Sequence, residues 1–435
     1  MRSRLEAYFR FAEHQTHWRT EILAGFTTFI TMAYIIFVNP AILSQTGMPL
    51  AAVTASTCLC AAIGSILMGL LANYPVALAP GMGLNAYFTY TVVNGMGIAW
   101  QTALGAVFVS GVLFLLLTLG GVRQRLVGAI PHQLHAAVAV GIGLFIAFIG
   151  LVNSGIIVRS NATTVTLGDL HHPSTQLAIF GVLLIAVLQA YRIKAAMLLG
   201  VLGTLALGIL LHQVNYQPSI FHPLAIRSTA FHMDLRGALH LNAFEIIFVF
   251  LFVDLFDNIG TLVAVTEQAG LIAADHTIPR LDRIFFADAA STVVGALAGT
   301  STVTSYIESS AGVAAGGRTG VTAITTGALF FAALFVAPIF GAIPAFATSP
   351  ALILVGALML KGSSSIEWKE PQIAIPAFLT LITIPLSYSI ATGLSFGLIS
   401  FAVLELATGG FRRQHWMLYL LAVLFLVRFI YLGPL

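Results

Sequence analysis

The sequence predicts an all-α polytopic membrane protein with fourteen transmembrane spans, arranged as a seven-plus-seven inverted repeat whose spans 3 and 10 are discontinuous. Three observations predict it. First, the chain is 58% hydrophobic and 8% charged, against roughly 25% charged in soluble domains, so it cannot dress a water-exposed surface. Second, hydropathy resolves apolar runs at 21–43, 51–72, 76–97, 101–120, 131–152, 175–190 and 195–211. After a polar stretch from His212 to Asn242, seven more follow at 243–266, 284–299, 302–316, 320–338, 345–361, 372–387 and 389–408. An odd number of spans per half makes the halves insert in opposite orientations, the arrangement of an inverted-repeat transporter. Third, loop charges agree with this count. With both termini cytoplasmic, the inner set is Arg2, Arg4, Arg10, Arg19, Arg123, Arg125, Arg192, Lys194, Arg280, Arg283, Arg318, Lys361, Lys369, Arg412 and Arg413, and only Arg159, Arg227 and Arg236 fall outside.

Residues 1–20 mix arginines with acids and lack an apolar core, so they read as a cytoplasmic segment rather than a cleavable signal. Cys58 and Cys60 stand two apart on one helix and point to different faces, which favours packing over a disulfide or a metal site. The third stretch reads NYPVALAPGMGLNAYFTYTV. Pro75 and Pro80 disrupt helical hydrogen bonding there, Gly81 and Gly83 relax the backbone, and a helix is expected from Leu84 with Asn85 in its first turn. Gly128-Ala129-Ile130-Pro131 and Gly341-Ala342-Ile343-Pro344 each introduce the fifth span of their half, a trace of repetition.

The eighth stretch, FVFLFVDLFDNIGTLVAVTEQAG, sets Asp254, Asp257 and Thr261 on one helix face. Acids at bilayer depth face a cavity and by default mark a substrate or ion path. Two other acids at depth, Asp288 and Glu405, read as hydrogen-bonded or helix-end groups. The tenth stretch, GTSTVTSYIESSAGVAAGGRTG, is small, polar and glycine-rich around one carboxylate, Glu308. It predicts extended backbone through Ser301 to Thr304 and a half-helix from Ser305. Third and tenth spans are equivalents in the repeat, and interrupted spans at matching positions point to a midplane site beside half-helix N-termini. The tail from Gln414 to Leu432 is short for a span and interrupted by Arg428, so it is expected to lie in-plane or re-enter rather than cross.

A formal charge of +3 without a basic stripe argues against nucleic acid as a partner. The chain has no HExxH run, no paired GxGD aspartates and no serine–histidine pair at spanning depth, which argues against a membrane hydrolase; His132 and His135 sit at the edge of a span. An anion carrier of similar architecture is an alternative, but such a site favours fixed positive charge, and here the predicted core holds acids and no lysine or arginine at depth.

HQTHWRTEILAGFTTFITMAYIIFVNP, APGMGLNAYF, FVDLFDNIGTLVAVTEQAGL and TSYIESSAGVAAGGRTG together resemble the signatures of AzgA-type purine permeases, within the nucleobase:cation symporter superfamily of xanthine and uracil permeases. Two departures from the uracil carriers, Ile307 where they tend to have glycine and Thr261 where they tend to have histidine, favour the purine branch. The resemblance implies a core domain of 21–120 and 243–340 moving against a gate domain of 121–242 and 341–408, between an N-terminal segment 1–20 and an interfacial tail 409–435. It implies a short strand leading into each half-helix, with hypoxanthine, guanine or adenine between them. Substrate contacts carried over by motif fall on Asp257, Glu308 and Asn85. Phe88 and Phe256 are candidates for stacking, with Tyr87 and Tyr306, while Ser305 offers a backbone donor and Thr261 lines the same face. Because the base is neutral, uphill uptake requires a coupled ion. The expected ion is a proton, handled by Asp257, Glu308, Asn85 and Asp254, with no other cofactor. Location in the plasma (inner) membrane and a homodimer through the gate domains are expected by similarity.

Overall fold

The computed structural model describes residues 2–120, 131–214, 225–272, 278–337, 343–410 and 415–431. Arg123, Arg125, Arg412, Arg413 and Gln414 lie outside these residues, as do Gly128, Ala129, Ile130, Gly341 and Ala342 of the two tetrapeptides.

A short helix, α1 (Arg2–Tyr8), precedes the first apolar stretch, which is itself two helices: α2 (Trp18–Met32) and α3 (Ile35–Leu43), meeting at Ala33 and Tyr34. The expected continuous span is therefore jointed. α4 (Leu50–Leu67) runs into a wide π-type turn at Met68–Ala72 and leads to a three-residue strand, β1 (Leu78–Pro80). α5 (Met82–Ala86) continues as a wide π-type helix to Gly95, and α6 (Trp100–Leu119) completes this part. α7 (His132–Asn153) is followed by an exposed hairpin, β2 (Ile157–Ser160) and β3 (Thr164–Leu167), and then by α8 (Pro173–Ala190) and α9 (Ala196–Leu210). The one-turn α10 (Leu235–Ala238) leads into the longest helix, α11 (Leu241–Ala269), and α12 (Leu281–Ala298) ends on Gly299 in the left-handed region at φ 92°. β4 (Val303–Ser305) and α13 (Ser309–Ala314) come next, then α14 (Gly320–Val336). α15 (Ala345–Met359), α16 (Pro371–Ser387), α17 (Ile390–Ala407) and α18 (Trp416–Tyr431) close the chain. Among the described residues eight helices are long and apolar enough to cross a membrane, and four shorter apolar ones accompany them.

Packing sorts these helices into two bundles. α4 packs on α14 and α3, α2 on α14, and α6 on α11 and α12; separately, α7 packs on α15 and α16, α8 on α9 and α15, and α16 on α17. Backbone polar groups away from water must be paired within the protein, and the two strands do this for each other. β1 and β4 pair antiparallel, with Leu78 opposite Ser305, Ala79 opposite Thr304 and Pro80 opposite Val303. Flanking bonds extend the ladder: Gly81 N–H donates to the Thr302 carbonyl and Tyr306 N–H to that of Ala77, both at 3.0 Å.

The outer edge of each strand is closed by a hydroxyl from the preceding helix. Ser65 of α4 donates to the Leu78 carbonyl at 3.1 Å and accepts from Leu78 N–H at 3.0 Å. Thr292 of α12 does the same for Val303, donating at 3.0 Å and accepting at 3.2 Å. Each hydroxyl serves the first residue of its strand from the helix before it, a correspondence that nothing in the local sequence pattern announces.

Both half-helices start away from their expected positions. α5 begins at Met82, two residues before Leu84, because Gly81 is extended (φ −75°, ψ 118°) and serves as its N-cap. α13 begins at Ser309 rather than Ser305, because Ser305 is still strand and Tyr306 N–H still belongs to the ladder. At six residues α13 is too short for a macrodipole argument, which removes that part of the expectation.

In the tail, His415, just before α18, and Tyr419, early in it, reach Glu405 near the end of α17, while Phe429, late in α18, packs on Phe396, in the first half of α17. α18 thus runs antiparallel along α17. Glu405 is the hydrogen-bonded group expected, accepting from Tyr419 Oη at 2.8 Å and lying 2.9 Å from His415 Nδ1. Cys58 and Cys60 are free thiols in the packed interior.

Removing an edge hydroxyl leaves a strand N–H and carbonyl unserved at a cost of about 1–3 kcal/mol. Ser65→Ala and Thr292→Val are each expected to lower the thermal midpoint of the purified protein in detergent by several degrees, with the smaller shift for whichever site admits water. An unchanged midpoint in both variants would contradict the role given to these bonds.

Candidate functional site

β1 and β4 cross between α4, α12 and α11, so α11 presents its polar face to the turn that follows β4. This turn, Tyr306 to Glu308, is set by three bonds. Tyr306 Oη donates to the Pro80 carbonyl at 2.5 Å, Ser309 Oγ accepts from Ala77 N–H at 3.0 Å, and Ser305 Oγ donates to Asn258 Oδ1 of α11 at 2.5 Å. The β1–β4 pair is thereby tied to the helix that carries Asp257.

The expected site residues fall into two groups. Asp257, Thr261 and Glu308 are partly exposed and share one region with Ile307, which is 49% exposed. The Glu308 charge is felt at Asp257, and the charges of both carboxyl groups are felt at Tyr306. Between Asp257 and Thr261 stands Gly260, beside which there is open space: a methyl group placed there would meet no atom within 4 Å. Gln268, two turns beyond Thr261, donates to the Ser310 carbonyl at 3.3 Å and bounds the gap between α11 and α13 at one end.

The second group is enclosed. Asn85 is fully buried and its amide is engaged: Nδ2 donates to Asn39 Oδ1, and its own Oδ1 accepts from Ser301 Oγ. Asn39, on α3, further donates to Thr57 at 2.8 Å and Thr300 at 3.1 Å. Asn85 therefore fastens α5 to α3 and to the approach to β4, and it does not line the opening beside Asp257. Phe88 is also fully buried; it packs on Phe250 with ring centroids 6.4 Å apart, and Tyr87 meets the same ring at 5.3 Å. In this structure Phe88 belongs to the main packed cluster. Asp254 is 2% exposed, one turn before Asp257 on the enclosed side of α11. Ser305 is buried, with its backbone in the ladder and its hydroxyl on Asn258. The Phe256 side chain lies outside the described residues.

Sequence reasoning missed Asn39, Asn258 and Tyr34. Tyr34, at the joint of the first stretch, is fully buried and donates its hydroxyl to Glu308 Oε1 at 2.6 Å. An asparagine before a proline in an apolar run, Asn39-Pro40, was a usable signal, because a polar amide at that depth needs partners.

Paired short strands, half-helices and partly open carboxyl groups within a bundle of apolar helices are the architecture of a membrane transporter. A permease-family profile, Xan_ur_permease, matches residues 19–396, and the chain belongs to that family. It is 44% identical to the adenine permease AdeP of Escherichia coli K12 over 428 residues, covering 98% of this chain and 96% of that one. It is likewise 44% identical to the guanine/hypoxanthine permease PbuG of Bacillus subtilis 168 over 440 residues, covering 98% and 100%. Among solved structures, the transmembrane domain of the cyanobacterial bicarbonate transporter BicA matches with TM-score 0.63 at 14% identity, covering 91% of this chain and 99% of that one. Murine Slc26a9, an anion transporter in the inward-facing state, matches at 0.65 and 11%, covering 90% and 69%. At these identities the structural likeness is one of fold.

The open face of α11 gives a direct test. In detergent, single cysteines at Gly260 or Thr261 are expected to react rapidly with a maleimide, while the wild-type protein stays unlabelled because Cys58 and Cys60 are buried. Labelling of both variants no faster than wild type would contradict an open space beside Asp257.

Proposed function

We propose that the chain imports purine nucleobases across the plasma membrane by proton symport with alternating access. The observation that carries this reading is the pair of partly exposed carboxyl groups, Asp257 of α11 and Glu308 of the turn after β4, near enough that the Glu308 charge is felt at Asp257. A purine is flat and neutral, with N–H donors and ring acceptors along its edge; a carboxylate oxygen accepts such an N–H, and a charge-assisted bond of this kind is among the stronger ones. The names of AdeP and PbuG, whose sequences match this chain along nearly their whole length, support adenine, guanine and hypoxanthine as the substrate class. A bicarbonate- or sulfate-type anion would meet two acids in the same opening, so the anion-carrier reading is disfavoured despite the shared fold.

Transport requires the site to face each side in turn. In our reading, the bundle of α2 to α6 and α11 to α14 is the core domain that carries the site, and the bundle of α7 to α9 and α15 to α17 is the gate. The described helices, with the two broken segments each taken as one crossing, support fourteen spans in two sets of seven. The matching roles of Ser65 and Thr292 support an inverted repeat. Cytoplasmic termini and a homodimer through the gate bundle complete the proposal.

Asp257 and Glu308 also supply the coupling. Either carboxyl can take a proton from the acidic side, which cancels one of two neighbouring negative charges, and release it toward the cytoplasm once the base has left. Asp254, enclosed one turn away, is the relay in this scheme; Asn85 contributes by holding α5 in place.

Proteoliposomes containing the purified protein are expected to concentrate labelled adenine, guanine or hypoxanthine under an inward proton gradient and to lose the accumulation on adding a proton ionophore. Asp257→Asn is expected to retain exchange of the base but lose accumulation. Uptake of sulfate in place of purine would overturn the substrate class, and accumulation that follows a sodium gradient at fixed pH would overturn the coupling ion alone.

A further inference from the structure

We propose that Tyr34 is the positioning residue for Glu308, and that the jointed first stretch acts as a clamp across both half-helices; this rests on the purine-site reading above. The Glu308 carboxyl sits in the N-cap position of α13 but makes no capping bond to that helix, and its local partner is its own backbone N–H. The Tyr34 hydroxyl does so, donating to Oε1 at 2.6 Å across 274 residues of sequence. Thr31, one turn earlier, donates to the Glu308 carbonyl at 3.4 Å. α13 itself lies directly on α2, because Gly312 faces Thr28 and Ala24 so closely that a Cβ there would stand 2.1 Å from Thr28 Oγ1.

Tyr34 reaches the carboxyl because α2 stops at Met32 and α3 starts at Ile35. The chain stays helical through the joint, and Phe37 and Val38 N–H both donate to the Tyr34 carbonyl, at 3.1 and 3.0 Å, so the residue is rigidly held. Its ring is fully buried, which leaves the hydroxyl one direction in which to donate. Five residues on, Asn39 fastens α5 through Asn85 and reaches Thr300 ahead of β4. One segment therefore grips the third broken element through Asn39 and the tenth through Tyr34.

The chemical consequence is specific. A carboxyl group free to rotate presents either oxygen in many directions; with Oε1 held by Tyr34 and the group also bonded to its own backbone N–H, its remaining lone pairs meet a substrate N–H in a fixed orientation. Pre-orientation of this kind lowers the ordering loss on binding. The other titratable groups facing Glu308 are Asp257 on α11 and Tyr306 on the β4 turn. Tyr306 has its hydroxyl committed to the Pro80 carbonyl and cannot replace Tyr34.

The test is a double-mutant cycle on the purified full-length protein, read as equilibrium binding of tritiated adenine, guanine and hypoxanthine, with the thermal midpoint as control. Phenylalanine fills the ring volume, so Tyr34→Phe is expected to keep a near wild-type midpoint and to weaken the affinity about tenfold. Glu308→Gln is expected to weaken it at least as much, and the combined variant no further than Glu308→Gln alone. A tyrosine that merely fills space predicts wild-type affinity for Tyr34→Phe, and that result overturns the inference, as does a loss that multiplies in the Glu308→Gln background. Should the wild type bind none of the three bases, the purine reading itself falls, which is distinguishable from a failure confined to Tyr34.

Discussion

The structure depends on one constraint: two lengths of non-helical backbone have to be satisfied away from water. Neither β1 nor β4 can do this alone, since a three-residue strand has two edges and no internal bonds. Each supplies one edge to the other and receives Ser65 or Thr292 on its second. Once that is met, much else follows. α4 and α12 have to flank the pair, and the chain leaving each strand has to turn away into α5 or α13. The turn after β4 then falls against α11, where Ser305 and Asn258 lock it.

A site formed in this way separates polar groups that hold the backbone from polar groups that remain available. Asn85, Asn39, Ser301, Thr57 and Thr300 are joined in one enclosed network, so their hydrogen-bonding capacity is largely used in positioning. Asp257, Thr261 and Glu308 are left partly open beside Gly260. Glu308 belongs to both sets, held by Tyr34 through Oε1 while its carboxyl stays partly exposed. This division explains how one region can carry two partly exposed carboxyl groups without loosening the fold: the structural demand is met by amides and hydroxyls, which are neutral and cheaper to enclose.

Much of this was legible in the sequence, because a broken membrane element leaves compositional marks. Pro75, Pro80, Gly81 and the small polar run around Glu308 located both breaks, and the Asp257–Thr261 spacing located the facing helix. What escaped was whatever depends on pairing between distant segments. The start of α13 moved from Ser305 to Ser309 because the ladder with β1 extends through Tyr306, a tertiary bond that outweighs local helix signals. Asn85 read as a ligand contact because its partners, Asn39 and Ser301, lie 46 and 216 residues away. Phe88 lies in the packed core beside Phe250, in the π-type helix that follows Ala86, a placement that residue type alone does not reveal. Tyr34 was hidden in an apolar run, where a tyrosine carries no mark distinguishing it from packing. The orientation of α18 rests on Glu405, His415 and Tyr419 meeting, which hydropathy does not register.

The central claim is that the two broken elements hold a purine between Glu308 and Asp257. The most direct measurement is a cryo-electron microscopy map of the full-length protein in lipid nanodiscs with saturating hypoxanthine, compared with one recorded without it. The account predicts a flat density beside Gly260, with its polar edge within hydrogen-bonding distance of Glu308 Oε2 and with Tyr34 still bonded to Oε1. A ligand density seated away from both carboxyl groups, with the space beside Gly260 unchanged, would contradict it.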